Sequence, residues 1–80
     1  MTAMKPTRSE FAALVVTHWP GAHVVEADRG LKIIVGSEGL AREVHRRAEV
    51  ALLQPQPAEQ SSLSQEWIVR VFGFQRRRQS

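Results

Sequence analysis

The chain contains no cysteine, which excludes a disulfide framework, a thiolate zinc site and a cysteine nucleophile. It has no apolar run approaching the roughly 18–20 residues that a membrane-spanning helix needs, so no membrane partner is expected. Its first residues, Met1-Thr2-Ala3-Met4-Lys5-Pro6, lack the apolar stretch of a signal peptide, and a cytoplasmic location is the default expectation. The three histidines, His18, His23 and His45, form no HxxxH or HExxH pair, so no metal site is expected. No nucleophile stands beside a base, and Gly36-Ser37-Glu38-Gly39 lacks the spacing and the lysine of a phosphate loop. Neither an enzyme nor a bound cofactor is anticipated.

What remains is ordinary in amount and uneven in distribution. Eighty residues, 42% apolar and 24% charged, make one small domain with a thin core. The net charge of +3 is the contribution of Arg76, Arg77 and Arg78, because the rest carries 8 basic against 8 acidic residues. The body is therefore formally neutral. Nine of the 11 basic residues are Arg, the side chain suited to planar recognition of carboxylate or phosphate.

Residues 1–6 read as a flexible lead-in, 7–74 as a single α+β domain, and 75–80 as a flexible basic tail. Thr7-Arg8-Ser9-Glu10 fits a capping box. Phe11, Leu14, Val15 and His18 follow at helical spacing, and Trp19-Pro20-Gly21 stops a helix spanning about 8–19. Residues 22–27 and 31–35 read as strands around Asp28-Arg29-Gly30. A three-residue loop with Gly30 in the left-handed conformation would pair Val24 with Ile34 and Val25 with Ile33. It would also set Glu26 opposite Lys32, an opposite-charge cross-strand pair. Ser37 is a plausible N-cap for a second helix running to about residue 53, with Leu40, Val44, Ala48, Ala51 and Leu52 as its buried stripe. Glu38/Arg42 and Glu43/Arg47 are four-residue pairs on that helix. Residues 54–65 have the Pro- and Ser-rich composition of a mobile surface loop.

The last element, residues 66–74, is the most informative. Trp67, Val69 and Val71 alternate with Ile68, Arg70, Phe72 and Phe74, so the strand is apolar on both faces. The expected fold is an α-β-β-α-β two-layer sandwich, a three-stranded sheet with two helices on one face, its last strand parallel to the second through a right-handed crossover. Leu14, Val15, Ile33, Val44 and Val69 are the expected core.

The functional expectation follows from the face left open. Val24, Ile34, Ile68, Arg70, Phe72 and Phe74 would form an apolar patch of a few hundred Å², the size that marks an interaction surface. This predicts a non-catalytic binding module acting through its outer sheet face and strand edge, that face being covered by a second copy or another protein. An alternative set, Lys32, Arg70, Phe72, Phe74, Arg76, Arg77 and Arg78, has the aromatic and basic chemistry of a nucleic-acid-binding sheet. The Gly36–Gly39 turn has the GxxG form that clamps a nucleic-acid backbone in KH domains. Here, however, Ile33-Ile34-Val35 runs straight into it and Glu38 would repel phosphate, so it reads as a helix-capping turn.

Overall fold

Thr7 opens the first helix by the reciprocal bonds its sequence context allows. Its Oγ1 accepts from the Glu10 amide at 3.2 Å, and Glu10 Oε1 accepts from the Thr7 amide at 2.8 Å, satisfying two amides that the helix leaves unpaired. The computed structural model describes residues 5–75, and in it α1 spans Arg8–His18 with Trp19 as C-cap. Phe11 and Val15 are fully buried, whereas Leu14 is only partly so and Val16 is 51% exposed. Residues 11–16 are all apolar, so spacing alone could not select the buried face.

β1 (His23–Ala27) and β2 (Gly30–Val35) form the hairpin, but not in the expected register. Ala27 pairs with Gly30, Glu26 with Leu31, Val25 with Lys32, Val24 with Ile33 and His23 with Ile34. The turn is two residues, Asp28 and Arg29, and the left-handed position falls on Arg29 at φ 66°. Gly30 serves a different purpose. A Cβ there would lie 2.4 Å from the Val71 carbonyl oxygen and 2.7 Å from Phe72 Cδ1. The glycine is needed for close approach and not for a positive φ. The expected Glu26–Lys32 pair is thereby replaced by a Glu26–Arg8 ion pair of 3.7 Å on the helix side.

α2 (Glu38–Val50) is capped by Ser37, whose Oγ accepts from the Leu40 amide at 3.2 Å. It buries Ala41, Val44 and Ala48. It ends three residues earlier than expected, in a Schellman motif. The Leu53 amide bonds Ala48 O at 2.9 Å and the Leu52 amide bonds Glu49 O at 3.0 Å, with Leu52 left-handed at φ 66°. Leu52 is thus turned outward, 57% exposed, and Leu53 takes its place in the core. Of the two expected charge pairs, Glu38–Arg42 forms at 3.2 Å. Glu43 instead accepts from Trp19 Nε1 at 3.1 Å.

The sheet has five strands, all antiparallel, where three with a parallel pair were expected. β3 (Gln54–Pro55) and β4 (Glu59–Gln60) lie within the segment read as a loop. They carry the chain back across the sheet, so β5 (Trp67–Phe72) enters antiparallel to β2. The handedness rule for crossovers governs parallel connections only. β5 is central, with β2 on one side and β3 and β4 on the other.

Leu31, Ile33 and Val35 of β2, Val69 and Val71 of β5, and the buried residues of both helices form one cluster. Burying each such side chain contributes roughly 1.5–3 kcal/mol. Of the five expected core residues, Val15, Ile33, Val44 and Val69 are fully buried. Among the described residues no polar side chain is buried, and no helix is long and apolar enough to cross a membrane.

Candidate interaction surface

Because both helices pack on the odd-numbered side chains of β2 and β5, the even-numbered ones point to the opposite face. The observed registers arrange that face in rows. Ile34 lies between His23 of β1 and Ile68 of β5, and Glu59 of β4 continues the row. Lys32 lies between Val25 and Arg70 in the next. In the third, the Phe72 ring crosses Gly30, with Gln54 of β3 beyond it. Ile34, Ile68 and Phe72 are half-buried by their neighbours, while Val25 at the edge is 45% exposed.

Lys32 and Arg70 stand directly opposite one another, an arrangement that repels. Glu59 offsets it by forming a hydrogen-bonded ion pair with Arg70. Both partners are substantially solvent-accessible, so this pair contributes at most about 1 kcal/mol. Among the described residues no carboxylate comes within ion-pair distance of Lys32. The middle of the open face is therefore cationic and its flanks are apolar.

Of the residues assigned to this face from sequence, Ile34, Ile68, Arg70, Phe72 and Lys32 are brought together on it. Val24 and Phe74 are not. Val24 pairs with Ile33 and packs on the core from the helix side, a direct consequence of the hairpin register. Gly73, at φ 82°, turns the chain out of the strand. Phe74 then packs against Phe11 with ring centroids 5.8 Å apart, and the Gln75 amide bonds Pro6 O at 3.0 Å. The chain thus leaves β5 toward the start of α1, away from the open face. Arg76, Arg77 and Arg78 lie outside the described residues. Sequence reasoning missed His23 and Val25 on this face, and the available signal was the preference of hairpins for two-residue turns.

The histidines stay apart. His18 Nε2 is 3.5 Å from Arg47 Nη2, His45 Nδ1 is 3.8 Å from Glu49, and His23 is on β1. Among the described residues no three His, Cys, Asp or Glu side chains converge as metal ligands do. A cleft of about 770 Å³ at the start of α1 is lined by Arg8, Ser9, Arg29 and Phe74. A second, of about 530 Å³, lies between α2 and Trp67 and carries His45 with Arg42 and Arg46. Neither brings a nucleophile and a base together.

The geometry defines a small antiparallel α+β module with an open sheet face. Comparison with protein families, with curated proteins and with solved structures finds no match to this chain.

Proposed function

We propose that this chain is a small, non-catalytic interaction module that binds through the open face of its sheet and that also self-associates. One observation supports this reading above the others. Both helices pack on one side of the sheet, and the other side gathers Ile34, Ile68, Phe72 and Val25 around two cations. Apolar surface of this kind is costly in water, at roughly 25 cal/mol per Å². A second copy is the simplest protein available to the module, since identical surfaces are self-complementary across a two-fold axis.

A nucleic-acid ligand is the second reading, favoured by the Phe72 ring beside Gly30 and next to the row of Lys32 and Arg70. A half-buried aromatic side chain beside cations can stack with a base. It ranks second because Phe74 is packed on Phe11 and Arg70 is already paired with Glu59.

Sedimentation velocity at two protein concentrations, with and without mixed single- and double-stranded nucleic acid, separates the readings. The self-association reading expects a mass that rises toward the dimer with concentration and does not respond to nucleic acid. A chain that stays monomeric and binds nucleic acid with a steep salt dependence would place the second reading first.

A further inference from the structure

The two edges of the sheet are built differently. On one side β3 and β4 are two residues each, separated by a segment containing Pro57. The Gln56 amide bonds Arg70 O at 2.7 Å, so by alternation Pro55 turns its nitrogen to the free side, where a strand would need a donor. Short strands and edge prolines are the usual means of blocking further pairing. On the other side β1 is five residues long, unbroken in its ladder and without proline or lysine. A two-residue turn closes on a hydrogen-bonded pair, Ala27 with Gly30, and bonded pairs then alternate. Val25 and His23 therefore face β2, and the N–H and C=O groups of Val24 and Glu26 point outward. Among the described residues no loop or side-chain group bonds them. The one charge on this edge, Glu26, is held by Arg8.

The helix beside this edge is also unfinished. α1 runs antiparallel to β1, since Arg8 Nη1 donates to Ala27 O at 2.9 Å and the Ala22 amide bonds Trp19 O at 2.8 Å. Arg8, Ala12 and Val16 are four residues apart and form one row on the helix. Because Arg8 touches the end of β1, this row runs along the β1 side, where Val16 is 51% exposed. An apolar flank on a surface helix, next to an unpaired strand edge, is what a buried position looks like.

We infer that two copies of the chain join antiparallel at β1, around a two-fold axis through Val25, to make one continuous ten-stranded sheet. This rests on the self-association reading and names the surface that carries it. The register follows from the strand. Centring on Val25 uses all five residues of β1, setting Val24 against the partner copy's Glu26 and His23 against the partner copy's Ala27. Centring on Glu26 would oppose two carboxylates. The same operation brings the two α1 rows together with Ala12, a small side chain, near the axis. A formally neutral body adds no long-range repulsion between copies. Stacking the open faces centre to centre would instead oppose Lys32 and Arg70 of one copy with the same cations of the other. Joining at the edge leaves both open faces side by side and available to a ligand.

The test uses the full chain. Val25→Glu places a carboxylate opposite Lys32 within its own sheet but opposite itself across the axis. It should keep the thermal melting of the monomer and raise the dimer dissociation constant by about tenfold or more. Phe72→Glu, on the open face, should leave the dimer mass unchanged. With no native cysteine, Val25→Cys carries a single thiol. At a non-hydrogen-bonded antiparallel pair its Cα atoms would be about 4.5 Å apart, within disulfide range. Mild oxidation should therefore cross-link it faster than Leu63→Cys, whose position is 96% exposed. If Phe72→Glu dissociates the dimer while Val25→Cys cross-links no faster than Leu63→Cys, the second copy lies on the open face and the edge inference fails alone. The edge inference also fails alone if Val25→Glu leaves the dimer intact. A wild type that is monomeric at every concentration overturns both.

Discussion

The two edges of this sheet solve one problem in opposite ways. Any outer strand presents backbone donors and acceptors that another strand can take. At β3 and β4 the chain breaks the edge into two-residue pieces and sets Pro55 where a donor would point outward. At β1 it leaves five paired residues with no further strand beyond them among the described residues. The helices differ in the same sense. α2, above β5 and β3, is charged on its outer side, with Glu38 and Arg42 paired across one turn. α1, above β1, carries Val16 into solvent. Protection is thus concentrated at one end of the molecule, and the contrast points to the other end as the place of assembly.

Four variants break or sharpen this contrast. The largest effect is expected from Phe11→Ala. Phe11 is fully buried and contacts the Phe74 ring, so its loss should lower unfolding free energy by about 3–5 kcal/mol. Because α1 braces β1, association should weaken with it; denaturant melts beside sedimentation would show whether the two move together. Gly30→Ala should follow, at about 1–3 kcal/mol, because its Cβ would meet the Val71 carbonyl at 2.4 Å. A near-neutral result would show that β2 and β5 do not need their close approach.

Leu52→Gly acts in the opposite direction. It relieves a left-handed leucine at the end of α2 and should raise the melting temperature, by about 0.5–1 kcal/mol in stability. Since Leu52 is far from β1 in the sheet order, the dimer should be unaffected. The smallest change in folding stability, within about 1 kcal/mol, is expected from replacing Pro55 and Pro57 together by threonine. This variant unblocks the protected edge, so light scattering should detect assemblies larger than a dimer. If it scatters like wild type, the prolines are not what blocks that edge.

Much of the fold was legible in residue pattern. Thr7 and Glu10 announced α1, Ser37 announced α2, and the alternation of β5 placed Val69 and Val71 inside and Ile68 and Phe72 outside. The misreadings have specific causes. Gly30 follows a turn, where a left-handed conformation is its common use. Here the Phe72 ring and the Val71 carbonyl require it, and the left-handed position moves one residue back to Arg29. That single shift exchanges the faces of β1, removing Val24 from the open surface and adding Val25. β3 and β4 are too short to carry a period, and Pro and Ser gave their segment the composition of a linker. Leu52 fits a helical stripe, but the Schellman turn breaks the spacing and seats Leu53 instead. Phe74 continues the strand's alternation on paper, yet Gly73 bends the chain before that alternation can apply. The edge contrast was hidden until the registers were known.

The most direct measurement is amide hydrogen exchange at Val24 and Glu26 as a function of protein concentration. Their N–H groups point away from β2 and should exchange freely in dilute protein. Edge pairing predicts that both become protected as the dimer forms, while the outward-facing Gln60 amide on the opposite edge keeps its rate. Exchange at Val24 and Glu26 that stays fast while the mass doubles would contradict assembly through β1.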